Sequence, residues 1–243
     1  MGRADPTFLG RYACAVAAAG ASRLRLSDTV GCLAPERVTS IVKGIRRDSD
    51  IPLQLHMHND FGLAIANVLA GIQAGAEQVH TTINGLGERA GITSFHAAAV
   101  AIEVLLGMHT GIRLNKIPDL SALVASFTKF TIAHNEPIVG SNVFTHESGI
   151  HVNGMLHLAA SFQPFDPVLV GRSHEFVLGK HTGSQAICHI LSTGGVEVTR
   201  VEAKEMLPNF RDLAIALGGC VPPEVACLFA RQFISSRKSP TSD

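Results

Sequence analysis

A chain of 243 residues is long enough for one large domain or two small ones, and long enough to bury a real core. An apolar share of 46% beside 16% charged residues excludes an intrinsically disordered chain. The 20 basic side chains are matched by 20 acidic ones, so no net positive field exists to draw the protein to nucleic acid or to a membrane surface.

The first stretch, "YACAVAAAGAS", can be read as the apolar core of a signal peptide with small residues at a cleavage site. Asp5-Pro6 ahead of it and Gly20 behind it favour a capped alanine-rich helix over 6–19. A strand over 24–29, a helix over 35–46, a strand over 52–58 and a helix over 63–74 follow. A strand over 78–84 and a helix over 94–106 close the series. Strands alternating with helices at this spacing predict right-handed crossovers and a parallel sheet, hence an α/β fold. Each strand runs into a polar cluster, "SDTVG", "HMHND" and "NGLGER". The carboxyl ends of parallel strands are where such folds place their chemistry. Beyond residue 110 the alternation stops: a helical stretch over 120–133 precedes a Gly- and His-rich segment, and the pattern from 183 to 233 is helical. The polar tail "SSRKSPTSD" reads as disordered. The expected organisation is therefore 1–110, 111–165 and 166–243.

Cys14, Cys32, Cys188, Cys220 and Cys227 are odd in number and form no C-x-x-C pair, which fits reduced thiols in a cytoplasmic protein. No apolar run reaches the roughly 18 residues that a membrane span needs, so no membrane insertion is expected.

Within the strand over 52–58, Leu53, Leu55 and Met57 share one face and Gln54, His56 and His58 share the other. A strand buried in a parallel sheet is ordinarily apolar on both faces, so a polar stripe needs a cause. Two imidazoles at i and i+2 suit adjacent positions on one zinc, manganese or iron ion, although an H-x-H pair by itself is more often structural. "NGLGERAG" spaces its glycines as G-x-G-x-x-x-G, looser than the dinucleotide fingerprint, and Glu88-Arg89 is most simply an ion pair fixing the loop. "THESGIH" sets its histidines five apart rather than four, and Gly149 between them disfavours a helix, so a zinc-protease reading is rejected. "VLGKHTG" fails as a phosphate loop, because His181 stands where Ser or Thr binds magnesium and His174 where the first glycine belongs.

Taken in order and spacing, "LSDTVG", "LHMHNDFGLAIAN", "NGLGERAG", "VFTHESGIHVNGML" and "GRSHEFVLGKHTG" resemble the carboxyl-terminal half of the homocitrate, isopropylmalate and citramalate synthases. Among these the sequence is most similar to homocitrate synthases of the nitrogen-fixation type. The resemblance covers nearly the whole chain. It implies an α/β fold that is a partial TIM (β/α)8 barrel, about its last three strands, followed by a mainly helical subdomain. It also implies an acyltransferase that joins acetyl-CoA to a 2-oxo acid, 2-oxoglutarate for a homocitrate synthase, by Claisen condensation with a divalent cation (Mn, Mg or Zn). His56 and His58 match the metal-binding histidines. Thr29 matches the threonine that hydrogen-bonds the oxo-acid carboxylate, and His151 a proton-transferring histidine supplied by the neighbouring subunit of a homodimer. Glu88 matches a loop glutamate beside the site. No role is implied for His146, His174 or His181.

Three departures stand out. The family's amino-terminal "D-x-T-L-R-D-G" strand, with its metal carboxylate and an oxyanion-stabilising arginine, is absent from this sequence. Ile92 takes the place of the metal-binding asparagine of isopropylmalate-type enzymes. Phe162, eleven residues after His151, replaces a tyrosine and removes its hydroxyl. A barrel fragment would also leave strand edges unpaired. The expectation is a fragment or one part of a split enzyme, inactive without a complementary amino-terminal subunit. The alternatives are an isopropylmalate-type condensation or a non-catalytic subunit.

Overall fold

Residues 1–238 are described by the computed structural model, and they form two compact units, Met1–Val143 and a second beginning at Phe144. The first opens with helix α1 (Pro6–Ala18), where the Asp5 side chain accepts a hydrogen bond from the Phe8 amide and Pro6 sits in the first turn. It continues through β1 (Leu24–Asp28), α2 (Pro35–Asp48), β2 (Leu53–Met57), α3 (Ala64–Gln73), β3 (Gln78–Val79), α4 (Phe95–Leu106) and α5 (Ile117–Thr128). The three strands are parallel in the order β1-β2-β3, with Leu24 opposite Leu53, Asp28 opposite Met57 and Leu55 opposite Val79.

The core of this unit follows from periodicity. Val38, Ile41, Val42 and Ile45 recur at helical spacing and are the buried residues of α2. Leu53, Leu55 and Met57 alternate along β2 and are wholly buried in the same cluster. α3 comes close over β2 because Gly71 carries no side chain, and a Cβ there would lie 2.5 Å from Leu55 Cδ1.

Several boundaries differ from the sequence reading. Ladder pairing of β3 stops at Val79 instead of running to 84: Thr82 bridges Ser94 and not β2, and Asn84 and Gly85 then leave the extended region at φ 58° and 65° in the turn Ile83–Gly85. Asn84 is buried and donates from Nδ2 to the Ser121 carbonyl at 3.0 Å, which fastens α5 to the loop. Residues 111–143 accordingly pack with the first unit, and the chain divides at 143/144 where the sequence suggested breaks at 110 and 165. α5 itself ends at Thr128, not 133, where Lys129 turns to φ 57°.

The second unit contains β4 (Thr145–His146), α6 (Gly149–His157), β5 (Glu175–Phe176), α7 (Ser184–Thr193), α8 (Arg200–Leu217) and α9 (Pro223–Lys238), with β4 and β5 pairing in parallel. It is mainly helical. Ile187 and Leu191 from α7, Met206 and Phe210 from α8 and Ala230 from α9 are buried together. α8 starts in a capping box: the Glu202 amide donates to Thr199 Oγ1 while the Thr199 amide donates to Glu202 Oε2. The tail expected to be disordered is helical over its first four residues, which extend α9 to Lys238; residues 239–243 lie outside the described residues. No described helix is long and apolar enough to cross a membrane.

Candidate functional site

The face of the three-stranded sheet opposite the apolar residues of β2 is polar across all three strands. Arg25 Nε donates to Gln54 Oε1 at 2.7 Å, and Gln54 Nε2 donates to Gln78 Oε1 at 3.3 Å. One layer nearer the carboxyl ends, Ser27 stands opposite His56, and His80 follows directly on β3 with its amide bonded to the Leu55 carbonyl. His56 is the hub of three imidazoles. Its Nδ1 lies 2.7 Å from His80 Nδ1 and its Nε2 lies 3.3 Å from His58 Nε2. Burial first, then the neighbouring His80, His58 and Arg25, pushes the His56 pKa below the ordinary histidine value. A neutral ring keeps a lone pair free for a ligand or a proton.

His80 escaped the sequence reading. Its signal was the alternation from Gln78, which puts residue 80 on the face of Gln54 and His56.

Whether a divalent ion fits can be judged from the donors. Two nitrogens each about 2.05 Å from one ion at a tetrahedral angle stand about 3.3 Å apart. His56 Nε2 and His58 Nε2 stand at 3.3 Å. A proton shared between His56 Nδ1 and His80 Nδ1, when it resides on His56, leaves Nε2 as the free donor and fixes the ring. His58 Nδ1 is buried with no hydrogen-bond partner among the described residues. The two imidazoles thus fit two positions on one ion. Among the described residues no group of three or more His, Cys, Asp or Glu side chains is arranged to hold one. Ile92, buried, stands opposite His58 in an isolated antiparallel bridge and supplies no ligating atom.

Thr29 follows the last residue of β1 and is exposed. Glu88 is exposed in the loop beyond β3. The expected Glu88–Arg89 ion pair gives way to another: Arg89 Nε and Nη2 donate to Asp60 Oδ1 and Oδ2 at 2.7 and 2.8 Å, and Nη2 also donates to the Thr29 carbonyl at 3.0 Å. Arg89 takes φ 59°, and its planar fork matches a carboxylate, which Asp60 at the end of "HMHND" provides. The same hydrogen bond holds the Asp60 carboxyl below its usual range and raises the Arg89 guanidinium above its own.

His151 belongs to the second unit. It lies on α6, which begins at Gly149, so the glycine expected to disfavour a helix starts one. The reason is close packing: a Cβ on Gly149 would sit 2.7 Å from Gly183 Cα. His146 lies on β4 instead, with its ring 6.4 Å from that of His151. The Phe162 ring stacks on His151 at 4.3 Å, and Gly154 leaves room for it, since a Cβ there would meet Phe162 Cε2 at 2.3 Å. A second imidazole chain runs beside this pair, with His146 Nε2 3.3 Å from His174 Nδ1 and His174 Nε2 2.7 Å from Gln163 Oε1. Burial, then His174 and His151, lowers the His146 pKa. Sequence reasoning singled out His151 and Phe162 and gave no role to His146 or His174.

Comparison with known proteins bears on both units. The family described as "HMGL-like" matches residues 1–124, and the "Homocitrate synthase post-HMGL domain-like" family matches residues 138–216. A 2-phosphonomethylmalate synthase of Streptomyces rubellomurinus is 44% identical over 92% of this chain and 60% of its own length. A 2-isopropylmalate synthase 2 of Caldanaerobacter subterraneus subsp. tengcongensis is 42% identical over 88% of this chain and 56% of its own length. The homocitrate synthase AksA of Methanothermobacter thermautotrophicus is 42% identical over 75% of this chain and 47% of its own. The chain therefore spans about half the length of these curated relatives. With the first family matching more than half of its residues, and across the unit that holds the histidine-bearing sheet, the chain belongs to the HMGL-like family.

Proposed function

We propose that this chain is the carboxyl-terminal part of an acyltransferase that condenses acetyl-CoA with a 2-oxo acid, with 2-oxoglutarate, giving homocitrate, as the favoured substrate. The observation that carries this reading is the pair of Nε2 atoms of His56 and His58, 3.3 Å apart on the polar face of a parallel sheet near its carboxyl end. The three strands are read as part of a (β/α)8 barrel: their polar face is its interior and their apolar face the layer under its helices.

In this reading His56 and His58 hold a divalent cation (Mn, Mg or Zn), which when bound polarises the 2-oxo carbonyl as a Lewis acid. The Thr29 hydroxyl binds the oxo-acid carboxylate and sets its orientation. A base removes a methyl proton from acetyl-CoA, and the enolate attacks the carbonyl carbon. His151 and Glu88 are assigned to proton handling, His151 acting from the neighbouring subunit of a homodimer. Hydrolysis of the CoA thioester makes the reaction irreversible. The remaining cation donors come from an amino-terminal partner segment, which also pairs with the open edges of β1 and β3.

Two rival readings keep a specific support. The 42%-identical 2-isopropylmalate synthase 2 supports condensation with another 2-oxo acid. Phe162, which offers His151 a ring and no hydroxyl, supports a non-catalytic subunit of a split synthase.

Calorimetric titration with Mn2+ or Zn2+ tests the core of the proposal. The chain should bind one ion, and His56→Ala should weaken binding roughly tenfold or more. Binding that survives His56→Ala and His58→Ala unchanged overturns the metal assignment. Mixing the chain with the amino-terminal part of a relative and following CoA release with 2-oxoglutarate against 2-oxoisovalerate decides the substrate. No release with either favours the non-catalytic subunit.

A further inference from the structure

We infer that Arg89 is a positioning residue of this site: its one guanidinium fastens the loops that follow all three parallel strands, and so sets where Thr29 and His58 stand. The inference rests on the reading of the β2 histidines given above and adds what holds their surroundings in place.

A surface ion pair by itself contributes little, because water screens it and two long side chains must be ordered. Three observations set this one apart. The Arg89 fork is bidentate on Asp60 and bonds the Thr29 carbonyl as well, so a single rigid group spans the loops after β1, β2 and β3. The loop after β1 is shaped to receive the carboxylate. Gly31 has φ +62°, and a Cβ there would lie 2.0 Å from Asp60 Oδ2. The turn that presents Arg89 is fixed from the other side. The Gly91 amide donates to the Glu88 carbonyl, the Asn59 amide donates to the Gly91 carbonyl, and a Cβ on Gly91 would meet the Gly85 carbonyl oxygen at 2.0 Å. Arg89 itself is held at φ 59°, a region that non-glycine residues rarely enter. The geometry at this point is therefore over-determined. Lysine, a point charge on a flexible stem, cannot replace a planar fork with three acceptors around it.

Nuclear magnetic resonance on the isotopically labelled chain tests this with Arg89→Lys, Asp60→Asn and the double variant. Both single variants should shift the imidazole signals of His58. They should also speed amide exchange at 29–31 and 59–62 about tenfold, the factor that losing one charge-assisted hydrogen bond implies. The double variant should change no more than either single one, because both remove the same interaction. Amides of the first unit's core away from these loops, at Leu53 and Leu55 of β2 and at Val42 and Ile45 of α2, should be unaltered, which confirms that the mutated unit is folded. A general loss of stability would lower the melting temperature without moving a ring signal of the folded state. Imidazole signals and loop exchange that are unchanged in both single variants overturn the inference. A Mn2+ or Zn2+ titration of the unmutated chain reads the metal assignment separately. Absence of binding there removes the metal and leaves the ring signals and exchange rates to decide the role of Arg89.

Discussion

His96, on α4, is 1% exposed; its Nε2 lies 3.3 Å from Glu136 Oε1 and its Nδ1 is buried without a partner among the described residues. The least costly tautomer puts the proton on Nε2, donating to the carboxylate, and leaves Nδ1 as a bare acceptor rather than a buried donor. Burial lowers the His96 pKa more than Glu136 raises it. A histidine whose folded pKa is depressed takes up its proton at lower pH when folded than when unfolded. The stability it contributes is therefore complete above the unfolded value of about 6.5 and declines as pH falls below that. Urea unfolding should give a constant midpoint above pH 7 and a falling one toward pH 5. His96→Gln should flatten that fall; an unaltered slope would show that other histidines carry it, His146 being lowered for the same first reason. The residue scale is also where the sequence was most and least informative about the site. Strict alternation exposed His56 and His58 as a pair. His80 lies past the ladder's last paired residue, and Asp60 pairs with Arg89 across 29 residues, so both needed the parallel register to bring them near.

Elements show the same division between local and long-range information. α2 was legible because its four buried apolar residues recur at one spacing and Pro35 marks its start. The end of β3 was not, because Val79 through Asn84 reads as a continuous strand and only the bond from Asn84 to Ser121 shows why the chain turns away. Helical glycines make the point testable. Gly71 on α3 and Gly44 on α2 look alike in sequence, and Ala is the better helix former at both by about 1 kcal/mol. A Cβ on Gly44 would find no atom nearer than Arg47 Nη2 at 3.8 Å, so Gly44→Ala should stabilise by about 0.5–1 kcal/mol. A Cβ on Gly71 would meet Leu55 Cδ1 at 2.5 Å and Val38 Cγ1 at 3.2 Å, and both side chains are fully buried. Overpacking of about 1–3 kcal/mol should outweigh the propensity gain there and make Gly71→Ala destabilising. Denaturant midpoints of the two variants should move in opposite directions. Movement in the same direction would mean that α3 stands farther from β2 than described.

At the scale of the whole molecule, the described residues form two buried clusters, one drawn from residues between Leu9 and Ala76 and the other from residues between Val152 and Ala230. Neither cluster shares a residue with the other, so the two cores can be weakened one at a time. Leu55→Ala removes a fully buried side chain from the first and should cost about 2–5 kcal/mol; Phe210→Ala does the same in the second for about 3–5 kcal/mol. Native-state hydrogen exchange should then quicken first in the truncated residue's own unit, in β1 and β2 for Leu55→Ala and in α7 and α8 for Phe210→Ala. Equal acceleration throughout for either variant would instead show one cooperative unit spanning the division at Val143 and Phe144. The outcome bears on the proposed chemistry. His56, His58 and Thr29 lie in one core's unit and His151 in the other's. Under separate opening, Phe210→Ala should release the stacking of His151 on Phe162 while leaving intact the Mn2+ or Zn2+ affinity proposed for His56 and His58, and Leu55→Ala should do the reverse.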